Sequence, residues 1–179
     1  FMRSQSLGVK TNQTLVVKFP GHTEGLNTKL EAMKKTIARL PLVYQVTFSG
    51  AVPGEEVATF LSNRRTNDAL KQNRLYEMLA CDPDYVDAYG LQVVAGRNFS
   101  EDYGDDVDKL VINETAVRNL GFTSNDEAIG ELVNVECTDA PMQIIGVVKD
   151  YHQQALSKNY TPIMLIHKDK IAWLPQRYI

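Results

Sequence analysis

Between Val111 and Phe122 the chain reads VINETAVRNLGF, and no other stretch narrows the choice of fold as far. Lys109 to Ile112 has the apolar, β-branched character of a strand. Asn113 is a residue type whose side chain caps the first free amides of a helix, and Ala116, Val117 and Leu120 supply an inner helical face. Gly121 stands where a helix ends on a left-handed residue. A strand running straight into a capped and stopped helix belongs to a mixed α+β chain whose helix packs back on its own sheet.

Other segments extend the pattern. Thr14 to Phe19 (TLVVKF) reads as a strand closed by Pro20-Gly21. Leu26, Leu30, Met33 and Ile37 recur at helical spacing and predict a helix over Glu24 to Leu40, capped by Thr23 and ended by Pro41, with Lys29, Lys34, Lys35 and Arg39 on its other faces. Leu42, Tyr44, Val46 and Phe48 alternate with polar or smaller residues and predict a half-buried strand, completing a βαβ-like unit. From Glu55 to Asn73 the periodicity is weak, and Ser62 to Gln72 reads as an exposed loop or hairpin connection. Arg74 to Cys81 is a strand, Tyr85 to Tyr89 a helical turn ending at Gly90, and Leu91 to Ala95 a short strand. Leu132 to Glu136, Met142 to Val148 and Pro162 to His167 are further strands. Asp150 followed by Gln153 resembles a capping box opening a short helix to about Ser157. Strand-helix-strand units at both ends enclose a strand-rich middle, which suggests an α/β subdomain interrupted by an insertion.

The composition excludes several functions. With 179 residues and 44% hydrophobic residues the chain has material for real cores. Its 19 basic and 22 acidic residues are interspersed, so it carries no basic patch for nucleic acid. No apolar run approaches the about 20 residues that span a bilayer. The opening FMRSQSLGVK has no signal-peptide core, and its start at Phe1 suggests a piece of a longer protein. Cys81 and Cys137 match neither a CxxC pair nor a zinc array and read as two half-buried thiols on separate elements.

Candidate chemistry is sparse. Asp150 and His152, with His167 nearby, invite a general-base or triad reading, but no Ser or Cys lies in a nucleophile-elbow context, and Asp150 reads as a helix cap. Asp102, Asp105, Asp106 and Asp108 could surround Ca²⁺, yet their spacing does not follow an EF-hand loop and a solvated acidic loop explains them. Asp82 and Asp84 flank a proline as Asx-capped turn residues. Gly96-Arg97 reads as a tight turn whose guanidinium ties the loop to backbone carbonyls. The phosphate-binding patterns GxGxxG and GxxxxGK[ST] are absent. No catalytic, cofactor-binding or metal-ligating residue is assigned.

Taken in order, LGV (Leu7 to Val9), TLVVKF, VPG, DPDYVDAYGLQVVAGRNFS, VINETAVRNLGF, AIGELV and IIGVVKDYHQQAL resemble the extracytoplasmic core domain of MacB-type ABC transporter permeases, in particular the FtsX-like permeases abundant in Bacteroidetes. The resemblance runs from about Leu7 to Ile166, and its specificity lies in the fixed order of the pieces. It implies a porter-like α/β subdomain, residues 1–50 with 142–179, and an inserted strand-rich, sabre-like α+β subdomain, residues 51–141. It further implies a domain on the periplasmic side of the bacterial inner membrane, carried between the first two transmembrane helices of a permease that is itself homodimeric. Such a domain works with a separate ABC ATPase subunit and with a periplasmic adaptor or substrate protein, in export, lipoprotein handling or signalling, and performs no bond chemistry of its own. Asn113 and Asp150 are then caps, and Gly121, Gly130 and Gly146 accommodate the backbone. Related permeases add a further strand and helix where this chain ends at Trp173 to Ile179, which predicts an exposed apolar edge near Trp173. Two other readings stand beside this one: a free-standing periplasmic binding or adaptor module, and a small hydrolase using Asp150 and His152.

Overall fold

The structure, a computed structural model, describes residues 8–19, 26–69, 71–103, 106–171, 173–174 and 177–179. It is an α+β fold whose centre is formed by the apolar runs. β2 (Arg74–Cys81), β4 (Lys109–Asn113), β6 (Met142–Val148) and β7 (Ile163–His167) are almost wholly buried, as continuous apolar strands covered on both faces should be. β1 (Phe60–Arg65), β3 (Val93–Gly96) and β5 (Leu132–Asn134) complete a seven-stranded sheet in the order β3-β6-β4-β7-β2-β1-β5. β5 also pairs with β6, so the ladder closes on itself through β6, β4, β7, β2, β1 and β5, with β3 added on the outside. The β2–β7 and β4–β6 pairs are parallel and the rest antiparallel.

Strand alternation sends side chains into two cores. One gathers Tyr76, Met78, Leu110, Ile112, Ile144, Met164 and Ile166 with Ala116 and Val117 of α3 (Glu114–Asn119), Leu120 at its C-cap and Ala128 of α4 (Asn125–Ala128). The other gathers Leu79, Val111, Val148, Ile163, Leu165, Phe99 and Tyr151 with Tyr85 and Val86 of α2 (Tyr85–Ala88). α4 carries its own capping box, with Ser124 Oγ accepting from Glu127 N and Glu127 Oε2 accepting from Thr123 N. It is too short for a periodic signal, and the sequence reading missed it.

Several expectations need correction. One sheet draws on both parts of the expected division, residues 1–50 with 142–179 and 51–141: β7 lies between β4 and β2, and β6 pairs with β3, β4 and β5. Among the described residues the N-terminal segment shows no βαβ unit. The helix α1 (Leu26–Ile37) is present, and Leu30 buries, but the Thr23 cap and Glu24 lie outside the described residues. Thr14 to Phe19 contributes no strand to the main sheet: Lys18 makes an isolated bridge to Tyr178, and Leu15 and Val16 are exposed. The alternation of Leu42, Tyr44, Val46 and Phe48 is also misleading. Leu42 and Tyr44 are 86% and 94% exposed, and Leu42 has a positive φ of 71°. Only Val46 and Phe48 reach the interior, because a period-two pattern makes a strand only where a partner offers a ladder, and here the bridges begin at Ser49.

Part of the segment read as a loop, Ser62 to Arg65, lies in β1, and the hairpin turn follows it. β1 escapes pattern recognition because its second inward residue is Asn63, fully buried, whose Nδ2 donates to the Met78 and Met164 sulfurs and whose Oδ1 accepts from Glu136 N. The short strand expected over Leu91 to Ala95 begins at Val93. The stretch after Asp150 is not helical. At the expected apolar edge Trp173 is 49% exposed, while the described residues on either side of it are tied down. Residues 177–179 are bonded on two sides, to Val17 and Phe19 and to Ser49, while Ile171 and Leu174 join the first core.

Candidate functional site

The strand-to-helix junction of VINETAVRNLGF is a polar knot binding three distant parts of the chain. Asn113 Oδ1 accepts from Ala116 N at 2.9 Å, the expected cap, and also from Ile163 N at 3.0 Å, while its Nδ2 donates to Thr161 O at 2.8 Å. One fully buried amide therefore caps α3 and fixes the entry to β7. Asp150 acts on the same helix. Its Oδ1 accepts from Thr115 N at 2.8 Å, and its Oδ2 accepts from Thr115 Oγ1 at 2.9 Å and Arg118 Nη2 at 2.7 Å. Glu114 Oε2 in turn accepts from Asp150 N at 3.1 Å. Asp150 is thus a helix cap, but for α3 from across the fold, since the helix expected after it does not exist.

That geometry leaves the hydrolase constellation unassembled. The Asp150 carboxylate is committed to α3, and the His152 ring packs on Tyr160 at a centroid distance of 4.6 Å. His167 Nδ1 accepts from Asp169 N at 3.3 Å, and its ring meets Phe99 edge-on. Replacing Asp150 by alanine should cost about 1–2 kcal/mol, in the range of a lost cap, and lower the melting temperature by roughly 2–8 °C. His152→Ala removes only a partly exposed ring contact and should cost less than about 1 kcal/mol. Thermal denaturation of the two variants checks this order, and a larger loss for His152→Ala would contradict it.

A second junction fastens α1. Asp82, 1% exposed, accepts from Lys34 Nζ at 2.6 Å, Thr47 Oγ1 at 2.5 Å and Phe48 N at 3.0 Å. Lys34 also bonds Asp84, and Lys168 Nζ lies 3.1 Å from Glu31 of the same helix. Burial on its own would lower the Lys34 pKa, but the hydrogen bonds and charges of Asp82 and Asp84 outweigh it and hold the ammonium above its ordinary value. The Asx-turn reading of Asp82 and Asp84 is therefore corrected. Asp84 caps α2 without a side-chain bond, and both carboxylates face α1. Lys34 was expected only on a face of the helix away from its apolar stripe; its partner, 48 residues away, left no local signal.

The GRNFS turn is the third junction. Arg97 forks onto Asp106 with Nη1–Oδ2 at 2.7 Å and Nη2–Oδ1 at 2.8 Å, and Nη1 also donates to Asn98 O. Ser100 N donates to Asp106 Oδ2 as well. The turn reading holds, with a carboxylate as the main anchor in addition to a carbonyl. Of the acidic loop, Asp102 and Asp108 are exposed, Asp105 lies outside the described residues, and Asp106 is buried rather than solvated. The Arg97 fork holds the Asp106 carboxyl below its ordinary value, against the opposing effect of burial. A depressed folded pKa gives stability that is present above the unfolded value of 3.8 and lost as the pH falls through the folded one. Asp106→Asn should accordingly flatten the stability curve below about pH 4, measured by denaturant titration across pH 2 to 6. A curve of unchanged steepness would contradict the assignment.

The remaining buried polar groups are structural. Glu77 Oε1 accepts from Gln154 Nε2 at 2.7 Å, while Oε2 has no hydrogen bond of ordinary geometry, although Thr161 lies near. Burial raises its pKa. Gln153 Nε2 donates to Val52 O and Glu55 O, tying the 151–158 loop to the 52–55 turn. Cys81 is fully buried and Cys137 exposed, so the two are not half-buried alike, and both are free thiols. Among the described residues no three His, Cys, Asp or Glu side chains gather as metal ligands would, and no helix is long and apolar enough to cross a membrane.

The architecture is thus a closed α+β sheet around two apolar cores, with polar junctions at Asn113, Asp82 and Arg97. Solved extracytoplasmic domains share this fold. The periplasmic region of MacB from Actinobacillus actinomycetemcomitans superposes with a TM-score of 0.59 at 18% identity, covering 95% of this chain and 72% of that one. The extracellular domain of the noncanonic ABC-type transporter YknZ from Gram-positive bacteria gives 0.59 at 17% identity, covering 91% and 78%. No curated protein matches the sequence. Over residues 2–179 the chain matches the family described as MacB-like periplasmic core domain, and it belongs to that family.

Proposed function

We propose that the chain is the extracytoplasmic domain of an ABC transporter permease, converting ATP hydrolysis by a separate cytoplasmic subunit into movement on the outer side of the membrane. The observation that carries this reading is the family match over residues 2–179. The domain does no bond chemistry: Asp150, His152 and His167, the residues most suggestive of catalysis, are engaged in capping and packing. Its contribution is mechanical. A closed sheet transmits displacement as one body, and the Lys34–Asp82 junction carries that displacement between α1 and the sheet. The partners are the transmembrane helices of the same permease, the ATPase subunit, a second copy of the permease, and a periplasmic adaptor or substrate protein. The output is export, lipoprotein handling or signalling.

The full-length protein, extracted from membranes in mild detergent, should copurify with an ATP-hydrolysing subunit. Recovery from the periplasm free of membranes and without an ATPase would overturn the proposal in favour of a free-standing binding or adaptor module.

A further inference from the structure

Glu77 is a buried acid with no salt bridge among the described residues. It stands on β2, 1% exposed, with Phe60 of β1 and Ile163 of β7 as its register partners. The 151–161 loop lies over it. Gln154 Nε2 donates to its Oε1 at 2.7 Å and Thr161 is near, while among the described residues no donor meets Oε2 in ordinary hydrogen-bond geometry. The charges it feels are those of Glu56 and Lys158, and these pair with each other at the surface, Nζ to Oε1 at 2.5 Å. Glu55 accepts from the Tyr178 hydroxyl, and the His152 ring packs on Tyr160. Burial holds the Tyr151 phenol above its ordinary value, so it stays neutral. The same loop is tied to the 52–56 turn, where Gln153 Nε2 donates to Val52 O and Glu55 O, and Gly54 N donates to Gln153 O.

We propose that Glu77 is a proton-operated latch, which holds the 151–161 loop on the sheet while it is neutral and loosens the loop once it is ionised. The neutral acid suits its surroundings. One oxygen accepts from Gln154, and the other carries a proton that a hydroxyl such as that of Thr161 can accept. The ionised acid does not. Its two oxygens then ask for several donors where Gln154 supplies one, in an interior where an uncompensated charge is costly. Water can supply the rest only when the loop lifts. Lys158 brings no relief, because it is engaged by Glu56, whose own charge repels an ionised Glu77. Burial accordingly raises the Glu77 pKa, against the opposing hydrogen bonds of Gln154 and Thr161. A raised folded value means that the latch is complete below the unfolded value of 4.5 and weakens as the pH rises from there through the folded one. The device is independent of the proposed transporter role, since it rests on the packing of Glu77 alone.

The test is amide hydrogen exchange of the 179-residue chain and of Glu77→Gln at about pH 4 and about pH 8, corrected for intrinsic exchange rates. The reporting amides are Gly54 N, bonded to Gln153 O, and Lys158 N, bonded to Ala155 O. Relative to β4 and β6, their protection should fall by about tenfold at the higher pH in the unaltered chain, the scale of a one-unit difference in pKa. Glu77→Gln keeps the shape and the acceptor for Gln154 but cannot ionise, so its loop should be equally protected at both pH values. Carbon NMR of the Glu77 carboxyl in the unaltered chain gives a second reading that needs no variant, with a midpoint expected above 4.5. A midpoint at or below 4.5, or loop protection that does not change with pH in the unaltered chain, would overturn the proposal. So would a loss that persists in Glu77→Gln, since it would belong to another group of the loop such as His152.

Discussion

Replacing Gly146 by alanine should destabilise the chain by about 3 kcal/mol or more, a fall in melting temperature of roughly 6–12 °C for a domain of this size. The cause is steric. A Cβ on Gly146 would stand 2.0 Å from the carbonyl oxygen of Arg97, and one on Gly96 would stand 2.2 Å from that of Ile145. The two glycines are register partners where β3 leaves β6, and Arg97 N donates to Ile145 O at 2.9 Å in the same crossing. No rotamer relieves a contact between a methyl group and backbone, so the added carbon must separate the strands and disturb the Arg97–Asp106 fork. Gly121 provides the comparison. It has a positive φ of 84° but open space around its Cβ direction, so Gly121→Ala should cost only the conformational strain of about 1–2 kcal/mol. Equal losses at the two positions would show that close approach is not what requires glycine at 146.

Removing the Asp82 carboxylate is expected to be comparably damaging but confined in space. Asp82→Ala strips Lys34, Thr47 and Phe48 of their shared acceptor and leaves a half-buried ammonium with Asp84 alone. Breaking a buried pair from one side costs about 3–5 kcal/mol, and the partial exposure of Lys34 places this case near the lower end. Lys34 also makes the contribution dependent on alkaline pH. Its folded pKa is raised, so the stability it gives is complete below the unfolded value of 10.5 and is lost as the pH rises through the folded one. Hydrogen exchange separates this from a global effect. Protection should fall in α1 and at Phe48 while β4 and β6 keep theirs at matched total stability; a uniform loss would mean that Asp82 supports the whole sheet instead.

These two sites show which parts of the molecule were legible in the sequence. β2, β4, β6 and β7 could be read because they are continuous apolar runs, and α3 because its cap and stop are local to it. Gly146 could be recognised as a backbone accommodation and Gly96 as part of a tight turn, but their pairing could not be read, since it depends on β3 and β6 meeting. Polar residues used at long range were opaque. Asn63 concealed β1, Asp150 resembled the cap of a helix next to it while capping one 35 residues earlier, and Lys34 looked like surface charge. The opposite error arose at Leu42 to Phe48, where the right pattern lacked a partner strand.

The central claim is that this domain moves in response to ATP on the far side of the membrane. Its most direct measurement uses the full-length protein reconstituted with its ATPase subunit. The exposed Cys137 is replaced by serine, and a spin label is attached through Lys35→Cys on the exposed face of α1. Electron spin resonance then gives the distance between the labels of the two copies with and without a non-hydrolysable ATP analogue. The account predicts a measurable inter-copy distance whose distribution shifts when nucleotide binds. The same distribution in every nucleotide state, or no inter-copy distance, would contradict it.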